Sequence, residues 1–158
     1  MSVLVIVVQW LHVILGLFWF GSNLYVDAIL IPTLNNLPLK EQQKIGGLNG
    51  PRTSQVLVPV GLTVVALGIL RGTVFGRLRS LDAVFGTTYG LTWLMALLLS
   101  IGFIFWGLLV LKPRAEALNT AESPEAYGAI ISQLKVLTLV EIAGFVAIFT
   151  CMILMRFE

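Results

Sequence analysis

Charge is what this chain has least of. Only 11% of its 158 residues are Asp, Glu, Lys or Arg, against about 25% in soluble globular domains. With 58% hydrophobic residues and a mean hydropathy of +0.95, a water-soluble fold would expose far too much apolar surface. A soluble enzyme or binding module is excluded, and the chain reads as an integral membrane protein in contact with the lipid bilayer. A net charge of only +2, with no basic cluster interleaved with aromatics, excludes a nucleic-acid partner. The one cysteine, Cys151, can form no internal disulfide; inside an apolar run it reads as an inert packing residue. No CxxC or HxxxH pair occurs, which removes a structural zinc site, and a copper site would want more His, Met or Cys ligands than are present. A phosphate-cradling glycine loop and a nucleophile elbow are missing too.

What the chain does have is long apolar runs. A spanning helix needs about 20 predominantly apolar residues, and four such runs are found. They cover about Val3 to Ile31 (ending at Pro32), Gln55 to Leu70 (opened by Pro51 and Arg52), Val84 to Leu111 (stopping at Lys112-Pro113) and Tyr127 to Met155. The fold class expected is all-α, an integral membrane four-helix bundle forming a single domain over residues 1–158, with both termini on one side. The first run has no basic residues before it and is longer than a secretory h-region, so it is read as a retained helix that doubles as the insertion signal. Pro59 predicts a kink near the start of the second span. Residues 33–54 read as a polar loop with a short amphipathic helix around Leu39 to Ile45, and 71–83 as a short basic turn. Ser123-Pro124-Glu125 has the look of a helix start. No internal repeat is evident. Basic residues divide almost evenly between the two sides, and the cluster in the 71–83 turn favours cytoplasmic termini in a plasma or inner membrane.

The single histidine, His12, stands inside the first apolar run. An imidazole at membrane depth is costly to bury without a partner, and it is also a common ligand of haem iron and other metals. On a helical wheel Gln9, His12, Gly16, Trp19, Asn23 and Asp27 fall within an arc of about 80°, so the polar groups of helix 1 share one stripe that should face the bundle interior. In helix 2, Arg52, Gln55, Pro59, Thr63 and Ala66 share one face; Gly61, Val65, Gly68 and Gly72 form an opposite, small-residue seam suited to close packing. Thr88, Thr92, Met95, Leu99 and Trp106 share a face of helix 3. In helix 4, Lys135 and Thr138 lie together with Glu141 at the edge of the same arc. Lys135 can snorkel to the interface. Glu141 is open to three roles: a proton relay, a salt-bridge partner of an arginine such as Arg52, or a hydrogen-bonded neutral acid. His12 is open to two structural roles besides ligation: a hydrogen bond to a Thr or a carbonyl across the bundle, or a contact with Glu141.

The run LHVILGLFWFGSNLYVDAILIPTL, with its His, six residues, and Trp-x-Gly, resembles the first helix of a superfamily of small four-helix membrane proteins. That superfamily includes copper-resistance-D-type domains and the membrane-bound haem-binding protoporphyrinogen oxidases. The likeness continues into RTSQVLVPVGLTVVALGIL and loosely covers most of the chain, with His12, Trp19 and Gly21 as its specific part. The resemblance implies that His12 is a haem ligand; Gly16, one turn away on the same stripe as Trp19, leaves room for a planar ligand or a neighbouring helix to approach the backbone. The oxidases take a second ligand from a lysine near the start of helix 3; the corresponding region here, YGLTWLMALLLS, has no lysine, and Met95 is its one residue with a plausible iron ligand atom. His/Met ligation is chemically sound for haem.

Three functions follow. The leading expectation is a haem b protein for electron transfer or porphyrin-related redox chemistry, with His12 and Met95 as metal ligands and Gly16 and Trp19 in the cofactor site. The second is a non-catalytic membrane subunit or scaffold without cofactor, in a homodimer or larger membrane complex. The third is a small proton-coupled transporter using Glu141 and Asp27, which would need a dimer to line a path.

Overall fold

A computed structural model describes residues 2–157. All regular structure among them is helical. Four rods, α1 (Val3–Leu34), α2 (Leu39–Gly72), α4 (Thr88–Leu118) and α5 (Pro124–Phe157), are each long and apolar enough to cross a membrane. A short helix, α3 (Leu81–Phe85), sits between α2 and α4, capped by Ser80, whose hydroxyl accepts from the Ala83 amide. The chain is a multi-pass membrane protein with an all-α four-helix architecture.

Adjacent rods run antiparallel. Along α1 and α2, Gln9 meets Arg71, His12 meets Val64, and Trp19 lies against Gly61. Between α1 and α5, Trp19 meets Phe145 while Asp27 meets Thr138. Trp93 of α4 reaches Gly68 of α2, and Phe103 stacks on Phe145 of α5. The start of α1 and the end of α5 therefore share one end of the bundle, as the sequence implies.

Trp19, Val64 and Phe145 form the buried core, with Phe20, Phe103 and Phe149 packed around it. Trp19 is set edge-on to Phe145, with ring centroids 5.1 Å apart. Such aromatic pairs add about 0.5–1.5 kcal/mol beyond area burial. The glycine seam of α2 turns inward as its small residues suggest: a Cβ at Gly61 would press on the Trp19 ring at 3.1 Å and one at Gly68 on His12 Cε1 at 3.1 Å. The rings thus lie directly on the α2 backbone. The other face of α2, with Arg52, Gln55, Pro59 and Thr63, is exposed.

The helices run further than the apolar runs. α2 begins at Leu39 instead of about Gln55, so most of the expected 33–54 loop is helix. Long-range contacts from Gln43 hold this glycine-rich stretch, its Nε2 donating to the carbonyls of Leu118 (3.3 Å) and Ala121 (2.8 Å); locally, Gln42 Nε2 donates to the carbonyl of Leu37 (2.7 Å). A helix of 34 residues is about 51 Å long against a hydrocarbon core of about 30 Å, so α2 overreaches the apolar layer.

Neither Pro32 nor Pro113 ends its helix. Each is preceded by a five-residue π-helical segment, Val26–Leu30 and Gly107–Leu111, closed by the amides of Ile31 and Lys112 donating five residues back to Val26 and Gly107. Proline offers no amide hydrogen and its ring crowds the carbonyl four residues earlier. At these two sites the turn widens to an i→i+5 pattern, which relieves that crowding; Pro51 and Pro59 lie inside α2 without such a segment.

These segments expose a common plan in the two halves of the chain, which residue identity conceals. The π segments and their prolines are displaced by 81 residues (26 to 107, 32 to 113), and α2 and α5, both of 34 residues, by 85 (39 to 124, 72 to 157). His12 and Trp93, also 81 apart, each place a ring nitrogen on an α2 carbonyl. The bundle is two helical hairpins of the same design, oriented in parallel.

Candidate functional site

The inward stripe of helix 1 divides at Trp19. Below it, Gln9 Oε1 accepts from Arg71 Nε at 2.8 Å, and His12 Nδ1 donates to the Val64 carbonyl at 3.0 Å. A carbonyl can only accept, so Nδ1 carries the proton and Nε2 keeps its lone pair. His12 therefore has the cross-bundle carbonyl partner that was one of its expected roles. Glu141 is not that partner: it shares a region with Asp27, which lies 15 residues and about 22 Å of helix rise from His12.

Met95 is placed elsewhere. Its side chain is 59% exposed on the outer face of α4, in a shallow apolar groove with Leu91, Leu98 and Val140. Its neighbour Trp93 is the residue that turns inward, onto Gly68. Gly16 sits against Val64 and Trp19 fills the core, so the structure brings His12, Gly16 and Trp19 onto one interface and leaves Met95 outside it.

Above Trp19 the four rods part around a cavity of about 480 Å³. Trp19, Leu57 and Phe103 are at its inner end, and exposed residues including Asn49, Lys112 and Glu116 are at its mouth. The two hairpins contribute corresponding positions: Gln42, Gly46, Asn49 and Thr53 of α2 line it, and so do Tyr127, Ile131, Leu134 and Thr138 of α5, each 85 residues on. Both π segments also line it, through Asp27 and Leu30 of α1 and Gly107, Leu108 and Leu111 of α4. π segments recur at functional sites, and interrupted helices flank binding sites in many membrane carriers.

The polar groups of this cavity are uneven. Asp27 Oδ1 accepts from Thr138 Oγ1 at 3.3 Å. Glu141 lies one turn along α5 from Thr138, on the same face, and lines the cavity while only 6% exposed. Among the described residues no hydrogen bond or ion pair reaches its carboxyl group, and the single ion pair, Lys112–Glu116 at 3.9 Å, is at the mouth. Arg52, a conceivable partner by sequence, is on the outer surface, in a separate groove beside Phe18 and Tyr25. Gln42 is 8% exposed and its Oε1 is buried without a partner. No three His, Cys, Asp or Glu side chains converge to hold a metal among the described residues.

Comparison with protein-family models, curated proteins and solved structures finds no match for this chain.

Proposed function

We propose that this protein is a proton-linked carrier of a small molecule, with Asp27 and Glu141 as the groups that exchange protons and ligand. The observation that carries the reading is Glu141, a carboxyl group buried at membrane depth, opening into a cavity, with no protein partner. Such a group is expensive to keep unless it takes up a proton or a ligand. The other titratable groups lining the cavity are Tyr127 on α5 and the Lys112–Glu116 pair on α4; α2 contributes none. The cavity reaches into the bundle from one end and stops at the Trp19 layer, which is one half of a pathway, and the paired π segments supply the places where α1 and α4 can bend. With cytoplasmic termini, favoured by the basic 71–83 turn, the mouth faces the far side of a plasma or inner membrane.

The test is solute-driven proton movement in vesicles carrying the purified protein, read with an internal pH dye. Wild-type vesicles should show proton flux with a subset of solutes, and Glu141→Gln should abolish it. Identical traces from wild-type, Glu141→Gln and protein-free vesicles across the solute set would remove the proposal.

A second reading, haem binding, is supported by one feature: Nδ1 of His12 is held by the Val64 carbonyl, leaving Nε2 as the donor atom, the arrangement typical of a ligating histidine. His12 of α1 could hold the iron of such a group through Nε2, while Met95, on the outer face, could not reach the same group within this chain. Haem would supply one-electron redox chemistry there, and the Val64 carbonyl would orient the His12 ring.

A further inference from the structure

We infer that the ligand of the cavity is an amphiphilic organic cation, held with its charge at Asp27 and Glu141 and its apolar part against α2 and α4. This rests on the carrier reading of the same cavity and adds its substrate class.

The shared plan of the two hairpins is what makes the asymmetry visible. The α4 counterpart of Asp27, displaced by 81 residues, is Leu108, which lines the cavity from the opposite side. The α2 counterpart of Glu141, displaced by 85 residues, is Val56, which lies in the outer groove instead. Both acids therefore belong to the α1/α5 side. The facing wall carries no charge inside the mouth: Leu57, Phe103, Ile104, Leu108 and Leu111 are apolar, and Asn49, Thr53 and Ser54 of α2 are polar but neutral. Among the described residues the one basic side chain lining the space, Lys112, is exposed at the mouth and already paired with Glu116. Two carboxyl groups without a cation, opposite an uncharged and largely apolar wall, complement one positive charge attached to an apolar body. A bare divalent ion would want more ligand oxygens than two carboxylates supply.

A matched pair of probes tests this: tetraphenylphosphonium and tetraphenylborate have nearly the same shape and opposite charge. Binding to the detergent-purified full chain can be read by quenching of tryptophan fluorescence, since Trp19 lies at the inner end of the cavity. Tetraphenylphosphonium should bind saturably, more tightly as the pH rises, because each carboxyl must release its proton to face a cation; tetraphenylborate should not bind. The double variant Asp27→Asn, Glu141→Gln should bind the phosphonium about tenfold more weakly or worse, the scale of one desolvated charge contact, and should now accept the borate. That gain shows a folded cavity in the same sample. Leu108→Trp, on the apolar wall, should weaken both ions in the double variant. Equal binding of both ions by wild type, or binding of neither, overturns the cation assignment. Coupled proton flux with neutral solutes but no phosphonium binding would leave the carrier reading standing without it. Phosphonium binding with no proton flux for any solute would do the reverse.

Discussion

His12 donates from Nδ1 to the Val64 carbonyl at 3.0 Å, so the only imidazole of the chain is spent on fastening α1 to α2. This one bond serves both structural and ligand readings of His12, because it fixes the tautomer that exposes Nε2. A neutral hydrogen bond of this kind contributes about 1 kcal/mol. Expression with abundant haem and an absorption spectrum of the purified protein separate the readings. If haem is held by His12, His12→Ala removes the Soret band and Met95→Leu leaves it intact, since Met95 is on the outer face. A colourless wild type with His12→Ala lowered in thermal stability alone assigns His12 to packing.

Glycines at ring contacts and glycines on open surface should respond oppositely to alanine. A Cβ at Gly72 would collide with the Trp93 indole, and one at Gly144 with the Phe103 ring, whereas Gly21 and Gly102 have nothing within 4 Å. Gly72→Ala and Gly144→Ala are expected to destabilise by about 1–3 kcal/mol, the usual cost of overpacking. Gly21→Ala and Gly102→Ala should be neutral or slightly stabilising, since Ala exceeds Gly in helix propensity by about 1 kcal/mol. Melting temperatures in one detergent, compared across the four variants, check the contrast.

The π segments are attributed to the prolines that follow them. Pro32→Ala restores the missing amide donor, so residues 26–31 should revert to α-helix, with slower amide exchange in that stretch. Removing the extra residue of the wide turn rotates the helix before it by about 100° relative to the helix after it, which carries Asp27 away from Thr138. Glu141-dependent proton flux should fall in Pro32→Ala. Pro113→Ala should alter exchange in 107–112 in the same way with a smaller effect on flux, because no acid lies in that segment.

The sequence was most informative where local pattern decides structure. The Gln9-to-Asp27 stripe is a wheel property of one helix, and from His12 to Asp27 it does face inward, while Gln9 is exposed at the bundle end; the Gly61/Gly68/Gly72 seam is likewise legible because only small residues admit a ring onto the backbone. The apolar runs locate four rods but not their ends. The short amphipathic helix expected over Leu39 to Ile45 is present, but Gly46 to Ser54 reads as a loop since its glycines and Pro51 outweigh local helix propensity; the continuous helix is held by Gln43 reaching carbonyls 75 and 78 residues away. Pro32 and Pro113 read as stops because helix termination is the common outcome, and the alternative of widening the turn leaves no mark on composition. The repeated hairpin plan is hidden for the same reason: it is carried by backbone geometry, while the residues at corresponding places differ, His12 against Trp93 and Asp27 against Leu108. Asp27 and Glu141 could be named as transporter residues from their depth. That they open onto a single cavity could not, as it depends on the pairing of α1 with α5.

Asp27 waits for its partner. Thr138 lies 111 residues downstream, so during synthesis the first hairpin enters the bilayer before Asp27 has that hydroxyl and before Trp93 covers Gly72. Until the second hairpin emerges, the nascent protein is a half-built bundle whose Asp27 lacks its hydrogen-bond partner. The interval between the two insertions is therefore when this polypeptide is most exposed to quality control and most in need of an insertion partner, and lengthening that interval should cost yield before it costs activity.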